Sequence, residues 1–339
     1  MNSAVTERSR ARAALWGLAI GDALGMPTQS FTRAEIAHRW GEVTGFLAGP
    51  SDQPIAADRP AGSVTDDTEQ AVLLARTLIE GGGVLDPVRF AHRLADWETD
   101  MAARGSLDLL GPSTRAAVAA LRAGTPVAEA GRNGTTNGAA MRIAPVGIAQ
   151  PPDDLKALVE AVVEVSAPTH NTSVALAGAA AVAAAVSVGV AGGALDEAIE
   201  VAIEAADLAS RRGRWVAGGS VPERILWAVS SCAGRSESEA LTQLYDLIGT
   251  GLAANESVPA AFGVLVLSPD DPWRACRLAA GLGGDTDTIA AMAGAIGGAC
   301  LGDLAFADRA RRFVGEVNGL DLDPVADGLL ALRHGGSRV

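Results

Sequence analysis

Four acids carry the chemical signal in this chain. Thr65-Asp66-Asp67-Thr68 and, more than two hundred residues later, Gly283-Gly284-Asp285-Thr286-Asp287-Thr288 each place two carboxylates and threonine hydroxyls just ahead of a long apolar run. A hydroxyl or carboxylate at a helix start accepts hydrogen bonds from the first-turn N–H groups, and the helix macrodipole favours a negative charge there. One acid per helix meets that need. If the two motifs meet in the fold, four carboxylates require compensating charge, and neither motif contains Lys or Arg. Carboxylate, threonine hydroxyl and water form an all-oxygen donor set that suits Mg²⁺ or Mn²⁺ rather than zinc. Two such ions about 4 Å apart can share a bridging carboxylate. The competing reading is a pair of ordinary caps on solvated helix ends.

The elements that must position these acids are helices. Apolar residues recur at helical spacing over 4 to 24, 67 to 80, 87 to 103, 113 to 123, 154 to 165 and 289 to 301, with further helices between 194 and 282 separated by turns at 211 to 220, 232 to 236 and 249 to 256. No alternating strand pattern of useful length is present. Asp22 falls in the last turn of the first helix, where the dipole disfavours an acid, so it needs a partner, such as a cap or salt bridge to a neighbouring helix. Residues 41 to 64 hold three prolines and four glycines without a period and read as a long loop, either a flap over the acids or ordinary surface. Gly131 to Gly138 is rich in glycine and side-chain amides. It reads either as a simple turn or as a cradle whose N–H groups could hold a pyrophosphate without charge.

Five motifs in order give the chain a resemblance. Gly21-Asp22-Ala23-Leu24-Gly25, Thr65-Asp66-Asp67-Thr68, Asn137-Gly138-Ala139-Ala140-Met141-Arg142, Thr169-His170 and Gly284-Asp285-Thr286-Asp287-Thr288 resemble those of the ADP-ribosylglycohydrolases, the family of the dinitrogenase-reductase-activating and ADP-ribosylhydrolase enzymes. The match runs from about residue 12 to about residue 302. It implies an all-α helical bundle, expected here as one domain over 1–339, with a dinuclear Mg²⁺ or Mn²⁺ site. By the resemblance, Thr65, Asp66, Asp67, Asp285, Asp287 and Thr288 hold the metals, and Asp66, Asp67 and Asp287 are catalytic. Asp22, Gln29, Gly134, Thr135, Asn137 and His170 face the substrate. The implied reaction is metal-dependent hydrolysis of the glycosidic bond between an ADP-ribosyl group, free or protein-linked, and its acceptor.

One departure bears on that reaction. Relatives often carry Glu at the position of Gln29, and an amide cannot act as a general base. Either another acid takes the role, with Asp108 in reserve, or the chain acts on a smaller ribosyl compound, or it binds ADP-ribose without turnover.

Composition narrows the partners. The net charge of -13 gives no basic stripe for nucleic acid. Cys232, Cys276 and Cys300 have no metal-ligand spacing and read as reduced thiols of a cytoplasmic protein. Asn171 to Leu195 is uncharged and long enough to span a bilayer, but it is dominated by Ala and Gly and so reads as a buried helix. Hydrophobic residues make up 48% of the chain and aromatics only 4%, so the core must be built from small and aliphatic side chains with closely approaching helices. Trp215, Trp227 and Trp273 are expected in core or junction packing. Oligomeric state is not legible.

Overall fold

The computed structural model describes residues 5–103 and 110–335; Asp108 lies outside the described residues. Within them the chain is all-α, with eighteen α-helices and no strand. The first nine are α1 (Glu7–Gly25), α2 (Arg33–Trp40), α3 (Asp66–Glu80), α4 (Pro87–Ala103), α5 (Pro112–Arg122), α6 (Val127–Ala130), α7 (Gly138–Met141), α8 (Ala144–Ala149) and α9 (Leu155–His170). They are followed by α10 (Ser173–Ala191), α11 (Leu195–Ala209), α12 (Val221–Cys232), α13 (Glu237–Gln243), α14 (Ala254–Leu267), α15 (Pro272–Ala280), α16 (Thr286–Leu301), α17 (Asp308–Asn318) and α18 (Asp323–Arg333).

Small residues at every fourth position determine how the central helices meet. On α1, Gly17, Gly21 and Gly25 form one stripe, because residues four apart lie on the same helix face. On α16 the matching stripe is Ala290, Gly294 and Gly298. A Cβ at Gly17 would sit 2.1 Å from the Gly294 carbonyl oxygen, one at Gly21 2.0 Å from that of Ala290, and one at Gly298 2.1 Å from that of Ala13. The two backbones are therefore in direct contact, with no side chain between them. Gly25 continues the stripe to the start of α16, where a Cβ would lie 2.4 Å from the Asp287 Cα.

The Ala-rich α10 is a second hub built the same way. Gly189 abuts the backbone of Ala299 and Cys300 on α16, and Gly147 of α8 abuts the Ala183 carbonyl. Among the described residues α10 is the one helix long and apolar enough to cross a membrane, yet 89% of its apolar window is buried inside the protein. One cluster of buried apolar side chains runs from Ala11 to Leu330.

Three details differ from the periodicity. Helix α9 continues past Val165 to His170, carrying Pro168 inside its last turn at the loss of one ladder N–H. Trp215 is 76% and Trp227 42% exposed, so neither is core; Trp273 does pack, edge to face on Phe46 at 5.5 Å. The long loop is pinned, since Gln53 Nε2 donates to the carbonyls of Met26 and Gln29 at 3.3 and 3.2 Å.

Because the clash at Gly21 is with backbone, no rotamer change relieves it. Gly21→Val is expected to cost about 3 kcal/mol or more in urea unfolding. Gly45→Ala, where nothing lies within 4 Å, should stay within about 0.5 kcal/mol of the parent.

Candidate active site

Asp22 joins the first acidic motif to the α1–α16 pair. Its carboxylate is fully buried and accepts the Thr65 N–H at 2.9 and 3.0 Å, the Thr68 N–H at 3.1 Å and the Thr68 hydroxyl. An acid at the unfavourable end of α1 thus caps the favourable end of α3. Burial pushes the carboxyl up to about 6, against the opposing pull of the Thr68 and Thr65 hydrogen bonds. This capping role is what the structure shows for Asp22, which does not line the cavity.

Asp66 and Asp67 open α3, and Asp285 and Asp287 open α16. Asp67 accepts the hydroxyls of Thr65 at 3.4 Å and of Thr288 at 3.3 Å, so the two helix ends touch through their own motif residues. Asp66 accepts from Gln70 Nε2 at 2.7 Å. Asp285 accepts from Asn137 Nδ2 and is also in hydrogen-bond contact with Thr288 and Asp287; burial raises its carboxyl above the usual range. The chain reaches Asp285 through Gly283 and Gly284, at φ +85° and +80°, a left-handed pair that glycine adopts without penalty. The Thr286 hydroxyl ties this end of α16 to the Gly25 carbonyl at 2.9 Å.

Asp66, Asp67, Asp285, Asp287 and Thr288 share the wall of one cavity of about 410 Å³. Opposite and around them lie Gln29, Ile55 of the long loop, Thr114, Arg115, Thr136, Asn137, Gly138, Met141 and Leu252. Arg115 is the one basic side chain of the described lining, and it pairs with Glu98 at 3.0 Å. Thr65 is fully buried behind the wall.

The remaining expected residues divide. Gln29 lines the cavity, is 5% exposed, and its Nε2 has no hydrogen-bond partner. Asn137 also reaches the wall, but its Nδ2 donates to Ser257 Oγ at 2.9 Å and to Asp285, and its N–H donates to the Leu252 carbonyl; it positions an acid. Gly134 is buried off the cavity with its N–H on the Gly131 carbonyl, and the exposed Thr135 gives its carbonyl to the Ala254 N–H. His170 is fully buried and stands behind Thr136, which its Nε2 meets at 3.0 Å. The loop 131–138 therefore brings Thr136 and Gly138, rather than Gly134 and Thr135, to the wall.

Two residues without an assigned role prove central. Arg142 is fully buried beneath the acids, where burial lowers its guanidinium to about 10 while the Asp66 charge opposes the shift. Gln70 connects it to Asp66. A lone Arg within the apolar run Ala139 to Val146 was the available signal for a buried charge.

Comparison with known proteins now decides the family. The family model described as ADP-ribosylglycohydrolase matches residues 3–338. The chain belongs to the ADP-ribosylglycohydrolase family. It is 36% identical over 322 residues to the uncharacterized protein YegU of Escherichia coli strain K12, covering 95% of this chain and 96% of that one. It is 32% identical over 164 residues to the ADP-ribosyl-[dinitrogen reductase] glycohydrolase of Rhodospirillum rubrum, covering 48% of this chain and 51% of that one. A solved ADP-ribosylglycohydrolase-related protein complex shares the fold, with a TM-score of 0.69 at 24% identity over 98% of this chain and 99% of that one.

The fit to divalent cations rests on donor chemistry. Four carboxylates and a threonine hydroxyl on one cavity wall are hard oxygen donors, and two of the carboxyls, Asp285 and Asp287, already meet. The side chains are not gathered about a single point: among the described residues no group of three or more His, Cys, Asp or Glu stands in an ion-holding arrangement. In this member of the ADP-ribosylglycohydrolase family Asp66, Asp67 and Asp285 instead make hydrogen bonds to threonine and amide neighbours. Removing the cap between α1 and α3 should loosen the first motif: Asp22→Ala leaves buried donors without an acceptor and is expected to lower unfolding free energy by about 3 kcal/mol in urea titrations.

Proposed function

We propose that the chain is a metal-dependent hydrolase that cleaves the glycosidic bond between an ADP-ribosyl group and its acceptor. The observation that carries this reading is the meeting of the α3 and α16 N-termini, with Asp66, Asp67, Asp285 and Asp287 on the wall of one cavity. The cavity volume of about 410 Å³ lies within the range for small-molecule sites. Family membership supplies the substrate class, and the activity for which the Rhodospirillum rubrum relative is named is of this kind.

On this reading Thr65, Asp66, Asp67, Asp285, Asp287 and Thr288 would hold two Mg²⁺ or Mn²⁺ ions. Such ions, when bound, supply Lewis-acid orientation of ribose hydroxyls and a more acidic water. The chain itself contributes negative charge beside the anomeric carbon, which favours the positive, oxocarbenium-like transition state over the neutral ground state. Asn137 holds Asp285 in place, and Ile55 and Leu252 give the wall an apolar portion against which a sugar or base can rest. Gln29 offers an N–H donor at the cavity where a base would offer an acceptor. That favours a second reading, in which the leaving group belongs to a smaller ribosyl compound and pairs with the amide.

A panel of ADP-ribosyl-arginine, ADP-ribosyl-serine, O-acetyl-ADP-ribose and simple ribosides, assayed with Mg²⁺, Mn²⁺ or chelator, separates the two. Metal-dependent release of ADP-ribose supports the first; release from the small ribosides alone supports the second. Asp287→Ala is expected to abolish turnover and weaken Mn²⁺ binding together, and an active Asp287→Ala enzyme would sink the assignment of the acids.

A further inference from the structure

A continuous run of hydrogen bonds, buried at its centre and part-buried at its two ends, connects the acidic wall to the glycine loop. Asp66 Oδ2 meets Gln70 Nε2 at 2.7 Å, and Gln70 Oε1 meets Arg142 at 2.9 Å. The other arm of the same guanidinium meets Thr169 Oγ1 at 2.5 Å. Thr169 Oγ1 meets His170 Nδ1 at 2.8 Å, and His170 Nε2 meets Thr136 Oγ1 at 3.0 Å, at the cavity wall.

The direction of the protons nearest the centre of this run follows from the guanidinium. A guanidinium only donates. Gln70 must therefore turn its oxygen to Arg142 and its amide N–H to Asp66. Thr169 must accept from Arg142, so its own proton goes onward. Two acceptors are in reach, His170 Nδ1 at 2.8 Å and the Ser166 carbonyl at 3.5 Å; the second lies at the limit of a hydrogen bond, and using it would require Nδ1–H to donate into the second lone pair of Thr169. With Nδ1 accepting, a neutral His170 carries its proton on Nε2 and gives it to Thr136. Burial, and then the Arg142 charge, hold the His170 pKa well below the usual value, so the ring is neutral. Its orientation is fixed by glycines, since a Cβ at Gly138 would lie 2.9 Å from Cε1 and one at Gly134 3.2 Å from Cδ2.

We propose that Arg142 is a positioning residue that sets this proton order, so that Thr136 presents its hydroxyl proton to the cavity and binds an acceptor-only oxygen of the ligand, such as a phosphoryl oxygen. The ligand half of this statement rests on the proposed ADP-ribosyl substrate; the proton order does not. With one Thr136 lone pair taken by His170, its single O–H is kept for the cavity, which favours a ligand oxygen that accepts there.

The first test needs no substrate. In ¹⁵N spectra of the labelled chain, with His170 assigned by loss of its signals in His170→Gln, Nδ1 is expected to be the unprotonated nitrogen and Nε2 the protonated one. The opposite tautomer, or an exchanging mixture, overturns the proposal. Thr169→Val, nearly isosteric, interrupts the run; in folded protein the tautomer preference should disappear, and retention of a single Nε2–H form would overturn Arg142 control. For the ligand half, ADP-ribose should bind Thr136→Val about tenfold or more weakly than the parent, with Thr136→Ser restoring affinity. Equal affinity for the parent and Thr136→Val removes Thr136 as a donor. If the parent fails to bind ADP-ribose, the functional reading and the ligand half fail, while the spectra still decide the proton order.

Discussion

The direct backbone contact between α1 and α16 is the constraint on which the rest depends. It exists only because Gly17, Gly21, Gly294 and Gly298 leave no side chain between the helices. Closely packed interiors transmit displacement, so the α1–α16 distance sets the position of everything attached to either helix. Asp22, one residue past Gly21, carries that position to α3 by capping it. Gly25 carries it to Asp287 itself. Two acidic helix ends from distant parts of the chain are thus placed on one cavity wall by glycine spacing rather than by any attraction between the acids, which repel.

That repulsion explains the surrounding chemistry. Each macrodipole favours some negative charge at its N-terminus, but burial raises the Asp285 carboxyl against the opposing hydrogen bonds of Asn137, Thr288 and Asp287. The polar neighbours are chosen accordingly. Asn137, Thr65 and Thr288 donate to the acids, and the buried Arg142 offers positive charge at one remove, through Gln70. Arg142 is itself supported by the Phe90 ring, 5.6 Å from the guanidinium carbon, and by Thr169. An acidic wall above a single buried cation suits a ligand that brings positive charge of its own or recruits it.

Much of this was legible in the chain. The helices at 66–80, 87–103 and 112–122 follow apolar periodicity to within a residue, and the four acids declare themselves by exceeding what caps require. The dipole conflict at Asp22 correctly called for a partner. What periodicity could not supply was which residues of the loop 131–138 face the cavity: Thr135 and Thr136 are chemically alike, and only the bridge from Thr136 to Ala253 and the seating of His170 between Gly134 and Gly138 settle their orientation. The run through Arg142 was hidden for a related reason. Its members, Gln70 of α3, Arg142 in the turn between α7 and α8, and Thr169 of α9, come from three separate parts of the chain, and no local pattern relates them. Trp215 and Trp227 show the opposite limit, where size and apolarity suggest burial but a place in the loop before α12 and on the outer face of α12 leaves them in solvent.

The central claim is that the two helix ends form one cation site. Electron paramagnetic resonance of the unmodified chain titrated with Mn²⁺ tests it most directly. The account predicts loss of the free-ion signal with saturation at two ions per chain and the altered spectrum of an exchange-coupled pair, as expected for ions about 4 Å apart. A free-ion signal that persists undiminished, or binding of uncoupled ions only, would contradict it.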